Sequence, residues 1–270
     1  MLRICRIAAA CALAFFATLG AAHASECPGN PDALGTSRVM TLAPGQYKKI
    51  GTVEYDETLP LQDHEIVLTF DDGPLPPHTT RVLDALAAEC VKATFFVVGQ
   101  MATASPAVLR RAYKEGHTIA THTEHHAHLD RIPYDKAVKE IADGIASAAK
   151  VLGDRSAVAP FFRFPYLDPT ARLENYVLRS GITIMSVDFF ATDWNRMSPE
   201  QLVTQIVERV ERRKRGILLM HDIHERTALA LPVVLRQLKS RGYRVVHLAA
   251  AAGVQAQTEP KTEPWAPVNN

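Results

Sequence analysis

From residue 66 onward, short apolar runs rich in β-branched and aromatic residues alternate with longer stretches whose apolar positions recur every three or four residues. The runs fall at 66–70, 93–98, 117–121, 160–164, 182–187, 216–220 and 243–247. Stretches of helical period fall between them, at 79–90, 105–115, 134–152, 169–180, 199–213 and 227–241. Runs of this length, bounded by turn residues, have the form of buried strands. Ser105-Pro106 and Ser198-Pro199 each offer an N-cap followed by a proline in the first turn, and Gly116, Gly181 and Gly242 stand just past helix ends. Strands separated by helices pair in parallel through crossovers, so the pattern predicts one α/β domain of seven strands and six helices. A closed barrel and an open doubly wound sheet both satisfy it. In either, functional side chains gather at the carboxyl ends of the strands.

The flanks break the pattern. Residues 25–64 are punctuated by Pro28, Gly29, Pro31, Gly35, Pro44, Gly45, Gly51 and Pro60, which predicts an extended N-terminal arm or small hairpin rather than a second domain. Ahead of it, Arg3 and Arg6 precede an apolar run from Ala8 to Ala22, and Ala22-His23-Ala24 has the small-x-small form of a signal peptidase site. The run is shorter than the about 20 residues that span a bilayer. Residues 1–24 therefore predict a signal peptide, an exported chain in a periplasm or outside the cell, and no membrane insertion after cleavage. The domain runs over 65–253. A disordered tail is predicted at 254–270, where Gln, Thr, Glu and Pro surround a lone Trp265.

Loss of the leader removes Cys5 and Cys11 and leaves Cys27 and Cys90. In an oxidising compartment such a pair bridges the arm to the first helix; two buried thiols are the alternative. Lys and Arg number 30 against 29 Asp and Glu, so no basic footprint points to nucleic acid.

Candidate chemistry sits where the strands end. Thr69-Phe70-Asp71-Asp72-Gly73-Pro74 closes the first run with two adjacent carboxylates. Like charges this close disfavour joint ionisation, and a cation on one Asp, with the other free as a base, removes that cost. A solvated Asp-Asp-Gly turn is the plain alternative. The run at 117–121 ends in His122-Thr123-Glu124-His125-His126, with His128 beyond. On a helical turn His122 and His126 face the same way and can grip one ion with one of the Asp residues. Spacing alone leaves His125 and His128 within reach. Arg163, in Phe162-Arg163-Phe164-Pro165-Tyr166, is an expected bidentate partner for a carboxylate, or else half of a structural ion pair. Asp188 to Trp194 forms an acidic loop, and His221-Asp222 caps the run at 216–220.

These motifs, in this order, resemble those of the polysaccharide deacetylases of carbohydrate esterase family 4, over roughly residues 65–247. The resemblance implies a distorted (β/α)7 barrel in a single domain. Thr-Phe-Asp-Asp-Gly-Pro is complete, which implies Asp71 as catalytic base and Asp72 as metal ligand. His122-Thr123-x-x-His126 fits the second motif and selects His122 and His126 as the other ligands. Arg163, Pro165 and Tyr166 fit the third, implying that Arg163 orients the base and that the Tyr166 main-chain N–H binds the oxyanion; Leu167 stands where the family usually has Gly. Asp193-Trp194 keeps the fourth motif's pair, although Asp188 precedes it by five residues rather than three. Leu219-Met220-His221 fits the fifth. His221 is then the general acid, tuned by Asp193, and Trp194 with Leu219 lines the pocket for the acetyl methyl.

The implied activity is metal-dependent hydrolysis of N-acetyl groups from an acetylated amino-sugar polysaccharide or oligosaccharide, releasing acetate. One divalent ion is expected, zinc by default for two imidazoles and a carboxylate, with other divalent ions also fitting the set. An O-acetyl esterase would use the same residues on another bond. A carbohydrate-binding protein without catalysis would not need the full set.

Overall fold

The computed structural model describes residues 27–43 and 45–251; the predicted leader at 1–24 and the predicted tail at 254–270 lie outside them. In chain order the strands are β1 (Thr36–Leu42), β2 (Lys49–Ile50), β3 (Glu65–Asp71), β4 (Thr94–Val97), β5 (Thr118–Thr121), β6 (Val158–Phe162), β7 (Thr183–Met185), β8 (Phe189–Phe190), β9 (Gly216–His221) and β10 (Arg244–Ala250). The helices are α1 (His78–Ala88), α2 (Gly99–Ala104), α3 (Pro106–Lys114), α4 (Tyr134–Leu152), α5 (Ala171–Arg179), α6 (Pro199–Arg213) and α7 (Glu225–Ser240). All seven predicted strands and six predicted helices are among them. Three strands and α2 were not expected. β2 and β8 are two residues long, too short for a period to register, and β1 lies in the stretch predicted as an arm.

Every ladder is parallel. Pairing runs β3–β4–β5–β6–β7 on one side of β3, and β9 lies along its other side with β8 beyond. β7 and β8 belong to one stretch, 183–190. Its first part pairs with β6 and its last part with β9, so the ladders return to β3 and close a distorted barrel. β10 meets β3 only at Glu65 and Ile66, then runs on beside β1.

Strand parity separates two cores. Ile66, Leu68 and Phe70 of β3 pack outward with Val82, Leu86 and Leu235 of the helices. Val67 belongs to the inner cluster with Phe96, Ala120, Phe161, Met185, Ile217 and Leu219, completed by Met40, Leu42, Val246 and Leu248 of β1 and β10. Successive side chains alternate across a strand. The inner row of β3 therefore continues through Thr69 to Asp71, that of β9 through Leu219 to His221, that of β5 to His122 and that of β6 to Arg163. The chemistry-bearing residues are the upper ends of the rows that fill the barrel.

The helices are fixed locally as well as by packing. The Ser198 hydroxyl accepts from the Gln201 N–H at 3.3 Å while the Ser198 N–H donates to Gln201 Oε1 at 2.8 Å. This reciprocal cap at the start of α6 contributes about 1 kcal/mol. Cys27 and Cys90 form the disulfide, tying the first described residue to the turn after α1. No helix among the described residues is long and apolar enough to cross a membrane.

Candidate active site

Asp72, His122 and His126 each direct one ligand atom into a common space, all within 4.8 Å of one another. Asp72 Oδ1 lies 3.3 Å from His126 Nε2 and 3.6 Å from His122 Nε2. The two histidines do not converge on a helical turn as their spacing predicts. Thr123 and His126 take φ values of 70° and 56°, and this irregular left-handed turn swings His126 back over His122. His122 Nδ1–H donates to the Arg163 carbonyl at 2.7 Å, which leaves the Nε2 lone pair free toward Asp72. Burial holds the His122 ring neutral, with its pKa driven down to about 3.

Asp72 Oδ1 is buried and takes no hydrogen bond. An orphaned carboxylate oxygen facing two imidazole nitrogens fits a divalent cation, which removes the desolvation cost of that oxygen. His125 is turned away, its N–H and Nδ1–H both donating to Glu140, at 2.9 and 2.8 Å. His128 stacks on Tyr166, with ring centroids 3.6 Å apart.

Asp71 points inward from the end of β3. Arg163 Nη1 donates to its Oδ1 at 2.6 Å, a single hydrogen bond rather than the bidentate pair predicted. The guanidinium cannot turn its fork to the carboxylate because its other donors are engaged. Nε donates to the Met185 carbonyl at 3.0 Å, Nη2 to the Ser186 carbonyl at 3.1 Å, and Nη1 also to Thr69 Oγ1 at 3.0 Å. The Phe96 ring lies below it at 3.9 Å. Burial pushes the Asp71 carboxyl up from its ordinary range, against the pull of the Arg163 charge. A carboxylate raised in this way is a stronger base.

Across the cleft, His221 Nδ1–H donates to Asp193 Oδ1 at 2.8 Å and the His221 N–H to Oδ2 at 2.6 Å. Thr227 Oγ1 also donates to Oδ2, at 2.6 Å, and Arg226 anchors the Asp193 carbonyl at 2.7 Å. Burial opposes charge on the imidazole, but the Asp193 hydrogen bond and the charges of Asp193, Asp71 and Asp72 outweigh it and raise the pKa to about 9. His221 Nε2 is left facing the cleft, 3.9 Å from Asp72 Oδ2.

These groups open into a cleft of about 590 Å³ that is also lined by Glu54, Phe164, Tyr166, Leu167, Phe190, Trp194, Leu219, Ile223 and His224. Tyr166 and Trp194 stand half exposed at its rim, and Trp194 meets His221 edge-on at 5.5 Å. Tyr166 and Leu167 have φ values of 61° and 53°. Glycine enters this region freely, whereas a non-glycine residue there costs roughly 1–3 kcal/mol. Leu167 accepts that cost at a position where the resemblance expects Gly, and its side chain packs against the inner core.

Asp188 takes no part in the cleft. Its two oxygens accept from the Thr52 N–H and hydroxyl, the Thr58 hydroxyl and the Ile217 N–H, at 2.8–2.9 Å. The motifs included Thr69 without giving it a role, and motif spacing gave no sign of Arg226, Thr227 or Glu54. Thr69 was open to detection through strand parity, whereas the other three reach the site only through tertiary packing.

A family model described as polysaccharide deacetylase matches residues 59–185. The chitooligosaccharide deacetylase of Rhizobium leguminosarum bv. trifolii is 30% identical over 211 residues, covering 72% of this chain and 94% of that protein. The chain belongs to the polysaccharide deacetylase family. Another member, the peptidoglycan-N-acetylglucosamine deacetylase PgdA of Listeria monocytogenes, is 31% identical over 193 residues. That match spans 71% of this chain but only 40% of the Listeria protein. Among solved structures, the Bdellovibrio bacteriovorus peptidoglycan deacetylase Bd3279 superposes with a TM-score of 0.71 at 32% identity, covering 80% of this chain and 59% of that one. The peptidoglycan deacetylase PdaC of Bacillus subtilis gives a TM-score of 0.60 at 30% identity, covering 68% and 88%.

Proposed function

We propose that this protein is an exported, metal-dependent hydrolase that removes N-acetyl groups from an acetylated amino-sugar glycan. One observation supports the reading above all: Asp72, His122 and His126, a set able to hold a cation, stand beside the buried Asp71–Arg163 pair and the His221–Asp193 pair. Family relatives named for peptidoglycan and chitooligosaccharide deacetylation support it.

Asp72, His122 and His126 would hold the cation, and zinc is the first choice for two imidazoles and a carboxylate with open positions. When bound, a divalent cation supplies Lewis acidity toward water and toward an acyl oxygen. Asp71, positioned by Arg163, accepts the proton that a water loses as it attacks the acetamide carbonyl. The Tyr166 main-chain N–H donates to the carbonyl oxygen as charge builds there, a contact whose loss costs about 3–4 kcal/mol in comparable sites. His221 then gives its Nε2 proton to the nitrogen as the C–N bond breaks. Trp194 and Leu219 provide the apolar wall for the acetyl methyl. An amine leaves only when protonated, whereas an alkoxide needs less help, so the raised pKa of His221 favours the amide over the ester.

The test is acetate release by the protein stripped of metal and then given zinc, on chitooligosaccharides, peptidoglycan and acetylated xylan. Zinc-dependent release from the N-acetylated glycans is expected. Release from xylan alone would replace this reading with an O-acetyl esterase.

A further inference from the structure

One carboxylate of the cleft has no role in the chemistry above. Asp71 is matched by Arg163, and Asp72 faces the two histidines. Glu54, on the turn after β2, lines the same cleft beside Phe164 and Leu167. It lies ahead of the stretch that the family model matches, 59–185.

The turn that carries it is firmly docked. Lys49 Nζ reaches Glu174 Oε2 at 3.0 Å, Tyr55 Oη donates to Glu174 Oε1 at 2.9 Å, and Thr52 and Thr58 anchor on Asp188. The Glu54 main-chain N–H donates to the Gly51 carbonyl at 3.2 Å, whereas its carboxylate has no hydrogen bond or ion pair among the described residues. Partial burial, then the charges of Asp168 and Glu174, push its carboxyl above the ordinary range. Lys49 pairs with Glu174, whereas Asp168 lacks an ion pair among the described residues. The cleft lining contains no lysine and no arginine. An unmatched carboxylate on a cleft wall favours a cationic ligand and disfavours an anionic one.

Deacetylation makes such a cation. Each turnover converts a neutral acetamide into acetate and an amine that is protonated near neutral pH. We propose that Glu54, backed by Asp168, binds the ammonium of a sugar already deacetylated near the one reacting. The preferred substrate is then a partly deacetylated amino-sugar polymer without carboxylate substituents, and deacetylation spreads outward from units already converted. This rests on the N-deacetylase reading; the cation set and the proton-handling pairs locate the reacting acetamide, and Glu54 selects what lies beside it.

The experiment compares the zinc-loaded protein with its Glu54→Gln and Asp168→Asn variants. Initial acetate release is measured on fully acetylated and half-deacetylated chitooligosaccharides of equal length. Binding of glucosamine oligomers, which requires no turnover, is measured by calorimetry. The unmodified protein should favour the half-deacetylated oligomers. Glu54→Gln should lower that preference roughly two- to fivefold, the scale of an exposed ion pair, with a parallel loss of glucosamine-oligomer affinity. Asp168→Asn should move both in the same direction, and added salt should erase the difference. A preference ratio unmoved by Glu54→Gln, or faster release from carboxylate-bearing peptidoglycan glycans, overturns the proposal. If no substrate releases acetate, the N-deacetylase reading fails, and oligomer binding still decides: affinity lost in Glu54→Gln supports the role of Glu54, and unchanged affinity overturns it.

Discussion

Arg163 Nη1 meets Asp71 Oδ1 at 2.6 Å with both side chains shut off from solvent. A buried pair of this kind serves position more than stability, since removing one partner strands the other charge at a cost of about 3–5 kcal/mol. Asp71→Asn should lower turnover by about two to four orders of magnitude, the usual contribution of a general base. Its metal content, measured by elemental analysis, should match the parent, because Asp72, His122 and His126 are intact. The melting temperature should fall as Arg163 loses its counter-ion. Wild-type turnover in this variant would remove Asp71 from the role of base.

The histidine loop makes a sharper distinction. His122→Ala and His126→Ala should each lose the bound divalent ion in equilibrium dialysis, whereas His125→Ala should retain it, because His125 is committed to Glu140. Loss of metal in His125→Ala with retention in His126→Ala would refute the assigned ligand set.

Much of this site was legible because the barrel's inner rows are periodic. Val67, Thr69 and Asp71 share a parity, as do Ile217, Leu219 and His221, and a parallel fold directs such rows to one rim. The motifs then separated the members of each cluster. What the sequence could not show depends on contacts between distant segments. The spacing of His122 and His126 suggested a helical turn, yet two positive φ angles bring the rings together. Arg163 read as a bidentate partner, yet the Met185 and Ser186 carbonyls hold its fork elsewhere. The stretch predicted as an arm carries β1 into the sheet, where Met40 and Leu42 complete the inner core. It also brings Glu54 to the cleft, a placement fixed by Asp188 and Glu174, more than a hundred residues away in the chain.

Asp193 keeps His221 protonated, and this gives the pH profile a direction. A general acid works while it holds its proton, so activity should persist below the His221 pKa of about 9 and decline above it. In Asp193→Asn the hydrogen-bonded charge is gone and burial acts on the imidazole with less opposition. The alkaline limb of kcat should then move to lower pH by about one unit or more. An alkaline limb that stays in place would assign that limb to another group.

A second pH effect acts on the fold. Ala93 N–H donates to His117 Nδ1 at 3.1 Å, so that nitrogen holds a lone pair and the ring is neutral. Thr118 Oγ1 donates to the Leu248 carbonyl and therefore accepts from His247 Nε2–H at 2.9 Å. Burial drives the two pKa values down to about 3 and about 4. In the unfolded chain both return to about 6.5. Between that value and the folded ones the unfolded state binds protons that the folded state refuses, so stability is full above pH 6.5 and falls as the pH is lowered toward 4. The loss should reach the order of a few kcal/mol by pH 4. Urea unfolding at pH 7.5, 6 and 5 measures it as a falling midpoint. His247→Gln, which cannot take up a proton, should flatten that slope even where it lowers the midpoint at pH 7.5. An unchanged slope would place the acid sensitivity in other groups.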